Sequence, residues 1–299
     1  MCFFLLFACS LSSKIVEYSF FYNISSSSSG GVVSELSNDE LNVSFCVFAF
    51  CSSVLFGGAV YSKANKNLVL NSCFYSNKCG KYGADIFLEG ISQNFVERSA
   101  FLKAITSESE SLGLRNGVQV IRNVNNTMCT SYCVPTSIIC SCTSAELSYY
   151  NSVSNYGQCG FCSYLYTLKN IHQYGNFINN TLTEQSLGTL RFDKSSPDFH
   201  WFVFINNQGT ISYQIDSPAP GTLYNSYLSC SALNLGSGFS SAENCYFSIQ
   251  SAKLYSIFHV NTYYCIPKDY QNTQFRSIIP IKTVLLMFSR VNVVYWMMN

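Results

Sequence analysis

Charge is scarce in this chain. Asp, Glu, Lys and Arg make up 11% of its 299 residues, less than half the quarter typical of a soluble domain. The net charge is +1, which argues against a nucleic-acid binder, since that needs a clustered basic face. Good helix formers such as Ala, Glu and Lys are thinly represented, which argues against a helix-rich enzyme. Only three histidines occur, His172, His200 and His259. None stands in a His-Glu-x-x-His pattern or beside a Gly-x-Ser-x-Gly elbow. Phosphate loops, dinucleotide fingerprints and kinase signatures are absent as well. The six Asp residues, Asp39, Asp85, Asp193, Asp198, Asp216 and Asp269, form no Asp-x-Asp or Asp-Asp pair. Neither a metal nor a cofactor is expected. No apolar run reaches the roughly 20 residues of a spanning helix. The C-terminal TVLLMFSRVNVVYWMMN is interrupted by Arg290 and preceded by Lys282, so no clear transmembrane helix is read there.

What remains is apolar, aromatic and amide-rich. The chain is 48% hydrophobic, with 24 Phe and 21 Tyr but 2 Trp, and it carries 46 Ser and 27 Asn. The apolar content is ample for a core, which disfavours disorder. Val, Ile, Phe and Tyr punctuated by Ser, Asn and Gly is a β composition.

A repeat organises these residues. Phe48-Ala49-Phe50-Cys51 aligns with Phe74-Tyr75-Ser76-Asn77 at an offset of 26, and the same offset lays Gly57-Gly58-Ala59-Val60-Tyr61 over Gly83-Ala84-Asp85-Ile86-Phe87. An offset of 27 lays Asn67-Leu68-Val69 over Asn94-Phe95-Val96, and Ser72-Cys73-Phe74 over Ser99-Ala100-Phe101. Phe177-Ile178-Asn179-Asn180 matches Phe204-Ile205-Asn206-Asn207, again 27 apart. Tyr150 and Tyr227 are read as further members of that aromatic series. The stretch 105–145 fits poorly. A period near 25 built of short β pieces predicts an all-β parallel solenoid of about 25 residues per coil, because one coil buries little until others stack on it. Phe48, Phe74, Phe101, Phe177 and Phe204 are expected to stack in the core. Asn77, Asn180 and Asn207 are expected to form corner ladders. Gly57, Gly58, Ala59 and Gly83 are the expected corner, with Gly58 at positive φ and Asp85 the odd residue beside them.

Gly57-Gly58-Ala59-Val60 resembles the GGA[ILV] motif of the polymorphic outer membrane protein repeat. Phe74 to Asn77, Phe177 to Asn180 and Phe204 to Asn207 are similar to its FxxN partner. The resemblance implies a right-handed parallel β-helix of the protist surface-protein type, exposed at the cell surface and adhesive. The joint register covers residues 46–101, and the later half carries FxxN alone. The chain departs from the bacterial members in showing no C-terminal stretch of barrel-like alternation.

The ends and loops complete the reading. Cys2 to Cys9 is an apolar run with small residues at Ala8 and Ser10, read over residues 1–13 as a short signal peptide or, alternatively, a first strand. Residues 14–275 are the β-helix, and 276–299 an apolar C-terminal strand or cap. Sequons at Asn23, Asn42, Asn125 and Asn179 are candidate N-glycosylation sites. Residues 23–40, with Ser25 to Ser29 and Gly30-Gly31, read as a flexible turn or loop on a coil edge, and 106–117 as a charged loop or insertion. Cys129, Cys133, Cys140, Cys142, Cys159 and Cys162 hold one Cys-x-x-Cys without a properly spaced second knuckle, so disulfides or buried thiols are favoured over zinc. Cys46, Cys51, Cys73 and Cys79 are expected inside the stack. His200 lies near Asp198 and Trp201 and reads as a surface or half-buried residue in preference to an Asp/His pair.

These features point to a non-enzymatic, secreted or surface-exposed monomer that binds an unknown protein or glycan along an Asn/Ser-rich wall. The alternatives are a polysaccharide lyase or hydrolase on the same fold, which needs convergent carboxylates, and a cytoplasmic interaction scaffold with reduced thiols.

Overall fold

The computed structural model describes residues 13–247, apart from 38, 107–109, 133, 135, 158–160, 165–169, 184–187, 194–197, 209, 216–219 and 230–234. The proposed leader, the tail from 248 onward, His259, Asp216 and Asp269 therefore lie outside the described residues. The described chain is all-β, and every strand pair in it is parallel. The strands form sheets of fifteen, seven and eight strands, whose strand orders run coil by coil along one axis. The chain is a parallel β-solenoid. Partners along the longest sheet are Ser13, Glu40, Lys66, Gln93, Val118 and Ser144, spaced 27, 26, 27, 25 and 26 residues apart.

Alternation sends every second residue of a strand inward, and stacking in register makes each inward position a column. One column runs Val16, Val43, Val69, Val96, Ile121, Leu147, His172, Phe199 and Leu223. β-branched residues fill its first coils because they suit a pleated wall. A second column begins Phe21, Phe48, Phe74 and Phe101, with successive ring centroids 4.9 Å apart and nearly parallel. That separation is the inter-strand spacing of any sheet, so identical rings stack with no adjustment. Burying each side chain contributes about 1.5–3 kcal/mol.

The stretch 105–145 continues the coil. Ile105 pairs with Thr130, Leu112 with Ser137, and Val118 with Ser144. Its repeat is invisible in the residues because the aromatic column changes character there. After Phe101 the column reads Asn126, Ser152, Phe177, Phe204 and Leu228. Tyr150 belongs to the adjacent column, where its partners are Val124 and Gly175. Its hydroxyl accepts from Asn126 Nδ2 at 3.0 Å and its ring reaches Phe177. Tyr150 thus occupies space that Asn126 and Ser152 leave. Tyr227 is likewise outside the Phe series, since its partner is Val203 and that of Phe204 is Leu228.

Corners are made in two ways. Gly30, Gly57 and Gly83 take φ values of 69°, 60° and 70° at successive turns. Gly58 does not share this conformation, contrary to the expectation for it. It is constrained by proximity instead: a Cβ there would lie 1.9 Å from the Ala84 carbonyl oxygen of the next coil. Ser25 to Gly31 lies at a coil edge and is built into the ladders. Ser25 and Ser26 pair with Ser52 and Ser53, and Gly30 makes the first such corner. The long sheet turns at non-glycine residues in the same left-handed region. Tyr18, Phe45, Asn71, Arg98, Asn123, Tyr149, Tyr174, Trp201, Asn225 and Asn244 make one row, and Asn23, Phe50, Ser76, Lys103, Met128, Ser154, Asn179 and Asn206 a second. Such a φ disfavours bulky side chains. Corners nevertheless keep ladder bonds, as in Tyr18 N–H to the Ser44 carbonyl and Phe45 N–H to the Leu70 carbonyl.

Candidate functional site

The interior holds a polar seam along the column Cys51, Asn77, Ala104, Cys129, Asn155, Asn180 and Asn207. Asn180 Nδ2 donates to Asn207 Oδ1 at 2.8 Å, and Asn155 Nδ2 donates to Asn180 Oδ1 at 3.1 Å. Each amide oxygen also accepts a backbone N–H from the coil before it: Cys129 to Asn155, Asn155 to Asn180, and Asn180 to Asn207. Asn77 has no Asn above or below it. Its oxygen accepts Cys51 N–H at 2.7 Å, and its nitrogen donates to the Phe48 carbonyl and to Asp85 Oδ1. Ser111 Oγ donates to the other Asp85 oxygen at 2.7 Å. Asp85 is fully buried, and burial pushes its carboxyl up to about 7 against these two stabilising bonds. Glu110 is pushed to about 8 by burial and has one unpartnered oxygen. Burial also raises Cys46 to about 11, and Cys51, Cys79 and Cys129 to about 12. Those four are free thiols held neutral, so they pack as small hydrophobes and do not act as nucleophiles. No group of metal ligands occurs among the described residues.

Chemistry accessible to a partner lies on the outer faces. On the corner row of the long sheet, Tyr149, Tyr174 and Trp201 stack with centroids 4.9 Å apart, at 14° and 9°. Beside them His200 stacks on Tyr224 at 4.6 Å. At the first coils the same row holds Tyr18 on Phe45, also at 4.9 Å, with Tyr18 69% exposed. Asn71, Arg98 and Asn123 separate the two stacks. The left-handed corner causes this arrangement, because it turns one side chain per coil away from both sheets and aligns it with its neighbours. A second cluster lies on the outer face of the eight-stranded sheet, though its Tyr61 and Phe87 rings are themselves buried. Phe56, Tyr61, Tyr82 and Phe87 meet at 5.4–6.1 Å, with the Arg115 guanidinium over Tyr82 and Phe87 at 4.8 and 4.9 Å. Tyr61 donates to Glu89 Oε2. Some charged side chains pair between adjacent coils, most closely Arg122 forked onto both oxygens of Glu146 at 2.6 Å.

Phe48, Phe74 and Phe101 form one stack, and Phe177 and Phe204 another at 5.3 Å. Ala59 is buried directly below Asp85, whose backbone carbonyl accepts its N–H. Asn23 and Asn179 stand exposed at corners, where a glycan has room. Asn42 is half-buried. Asn125 is 9% exposed and its amide oxygen accepts from Thr127 Oγ1, which leaves the folded protein no place for a sugar there. His172 is buried in the core. His200 is partly exposed and makes no ion pair with Asp198, whose carboxylate accepts Thr222 N–H. Cys73 departs from the interior placement expected for it: it lies outside the core stack and is disulfide-bonded. Cys142 is buried. The side chains of Cys133, Cys140, Cys159, Cys162 and Asp193 lie outside the described residues. The outer aromatic rows went unread in the sequence because bulky residues are not expected at left-handed corners. The recurring Asn at 71, 123, 225 and 244 is the signal that marks the row.

No protein-family model, curated protein or solved structure matches this chain.

Proposed function

We propose that the chain is a non-enzymatic adhesive module, secreted or displayed at a cell surface, that docks a protein partner along the aromatic corner row of its long sheet. The observation that carries this reading is the Tyr149–Tyr174–Trp201 stack with His200 and Tyr224 beside it. Tyr and Trp are the residue types that dominate interface energetics, since they offer large rigid area at low entropic cost. Here they stand on a backbone held by ladder bonds on both sides. Rings stacked this closely present edges and hydroxyls, and no sugar fits between their faces. That favours a protein over a glycan. Two further features fit an oxidising location, the disulfide at Cys73 and the exposed sequons at Asn23 and Asn179. The resemblance of the Gly-Gly-Ala and FxxN pieces to surface-protein repeats points the same way.

Impermeant biotinylation of intact producing cells should label the chain or find it in the medium. Labelling only after lysis would favour the intracellular scaffold. With a captured protein partner, Tyr174→Ala together with Trp201→Ala should weaken binding at least tenfold without changing the far-ultraviolet spectrum. Unchanged affinity, or saturable binding to a polysaccharide with cleavage of it, overturns the reading.

A further inference from the structure

The strands of the seven-stranded sheet are two residues long, so each coil turns one side chain inward there and one outward. Ser53, Cys79, Thr106, Ser131 and Leu182 point inward and are buried. The outward column runs from Ser25 through Ser52, Lys78, Ile105, Thr130 and Tyr156 to Thr181, about 29 Å along the axis. The residue after each inward one is exposed again, at Ser27, Val54, Gly80, Tyr132 and Thr183. Two properties coincide on this outer face. It is apolar, since Val54 is 56% exposed, Ile105 57%, Tyr132 71% and Tyr156 48%, with Met128 on the adjoining corner row at 51%. Its charge is also of one sign. Lys78, Lys81 and Lys103 stand exposed on it or at its rim, and none pairs with a carboxylate among the described residues. Elsewhere Lys14, Lys63, Lys66, Arg98 and Arg122 each meet a Glu, and Arg115 lies on aromatic rings. Among the described residues no Asp or Glu stands on the face. In a chain that is 11% charged, three uncompensated lysines on one side set the local potential. Beside Lys78 lies a hollow of about 540 Å³ lined by Ser25, Ser26, Ser27, Ser52 and Ser53. It offers hydroxyls, one ammonium and no carboxylate, which are the donors that phosphate oxygens take.

We propose that this face lies against a bilayer that contains anionic phospholipid. Lys78, Lys81 and Lys103 meet the headgroup phosphates, and Val54, Ile105, Met128, Tyr132 and Tyr156 enter the headgroup boundary. Exposed apolar side chains interleaved with lysines are what an interfacial surface requires, since lysine stems lie along the apolar layer while their ammonium groups stay with the phosphates. Other acidic partners fit less of the face. An acidic polypeptide strand has no edge to add to here, because the inner strands of the stack are paired on both sides. The hollow beside Lys78 is lined with serine, so it seats no apolar helix stripe. A sulfated polysaccharide pairs with the lysines but leaves Ile105 and Met128 in water. A lipid surface satisfies both sets, because each apolar side chain finds its own depth in it. The contact is separate from partner docking at Tyr149, Tyr174 and Trp201 and does not depend on it.

Flotation of the native full chain with lipid vesicles tests this. At about 0.1 M salt, vesicles of phosphatidylcholine with about 30% phosphatidylserine should bind it at least about tenfold more tightly than phosphatidylcholine alone. Changing Lys78→Gln, Lys81→Gln and Lys103→Gln together should weaken binding to the anionic vesicles by about tenfold or more. Ile105→Ser with Tyr132→Ser should weaken it by about fivefold or more at unchanged charge. All five positions are exposed, so the far-ultraviolet spectrum should not change. Tyr174→Ala with Trp201→Ala should leave vesicle binding as it is, which separates this contact from the corner row. Equal partition onto neutral and anionic vesicles overturns the proposal, as does an unchanged affinity of either the lysine or the apolar variant. Binding of inorganic phosphate or of heparin without binding of vesicles overturns it as well.

Discussion

The Phe202 ring lies over Gly175 of the preceding coil, so closely that a Cβ on Gly175 would fall 2.1 Å from Phe202 Cε1. Val124, Tyr150, Gly175 and Phe202 are one column, and the missing side chain at Gly175 is the room that the two large rings on either side require. Gly175→Ala should therefore destabilise the protein by about 1–3 kcal/mol through overpacking. Phe202→Leu, harmful alone, should restore part of that loss. A double-mutant cycle on urea midpoints should give a favourable coupling of at least about 1 kcal/mol; strict additivity would show that the ring does not depend on the glycine.

Gly58 offers a test of a different constraint. Its conformation is available to any residue, but a side chain there meets the Ala84 and Lys78 carbonyl oxygens of the next coil at 1.9 and 2.5 Å. Those oxygens belong to backbone locked in ladders, which do not yield as a side chain does. Gly58→Val should lower stability by roughly 3 kcal/mol or more. Ser27→Val, at an exposed position of the neighbouring turn, should change it by less than about 0.5 kcal/mol. Thermal melts of the two variants decide the matter, and equal tolerance would refute the close approach.

The buried carboxyls make stability fall as pH rises. Asp85 and Glu110 are raised from 3.8 and 4.5 to about 7 and about 8, chiefly by burial. The folded state therefore holds their protons when the unfolded chain has released them. Their stabilising contribution is complete below about pH 4 and is lost progressively up to pH 8. A carboxyl moved this far carries on the order of 4 kcal/mol of pH-dependent stability. Asp85→Asn removes one titration while keeping the shape. Urea midpoints from pH 5 to 8 should decline less steeply in this variant than in the wild type. Parallel curves would mean that Asp85 is ionised in the fold at neutral pH, held by Asn77 and Ser111.

Much of the solenoid was legible because its columns repeat identity as well as type. Val60 and Ile86, or Phe48, Phe74 and Phe101, announce their register in the residues themselves. Where the core is filled by exchange between columns, as Asn126 and Ser152 yield space to Tyr150, hydrophobicity and size no longer recur at one period and the coil disappears from view. The corner glycines were found but their division of labour was not, since φ at Gly57 and crowding at Gly58 leave the same letter in the sequence. The outer aromatic rows were hidden by a sound local rule, that Tyr, Phe and Trp avoid left-handed backbone. Tertiary ladder bonds override that rule at Tyr18 and Phe45.

His172 sits in the valine and phenylalanine column between Leu147 and Phe199, fully buried, with no hydrogen-bond partner on either ring nitrogen. Burial pushes its pKa down to about 3, so the folded protein holds it neutral. The unfolded chain protonates it near 6.5. Stability should therefore be lost as pH falls from about 6.5 toward 3, at up to about 1.4 kcal/mol per pH unit, opposite in sign to the carboxyls. His172→Leu removes both the titration and two unsatisfied polar atoms, and should gain about 1–2 kcal/mol at pH 7. The advantage of the variant should widen steadily at pH 5.5 and 4.5. Because Asp85 and Glu110 titrate in both proteins, the difference between them isolates the histidine. A constant gap across these pH values would mean that the imidazole finds a partner or water in solution, and that the column opens around it.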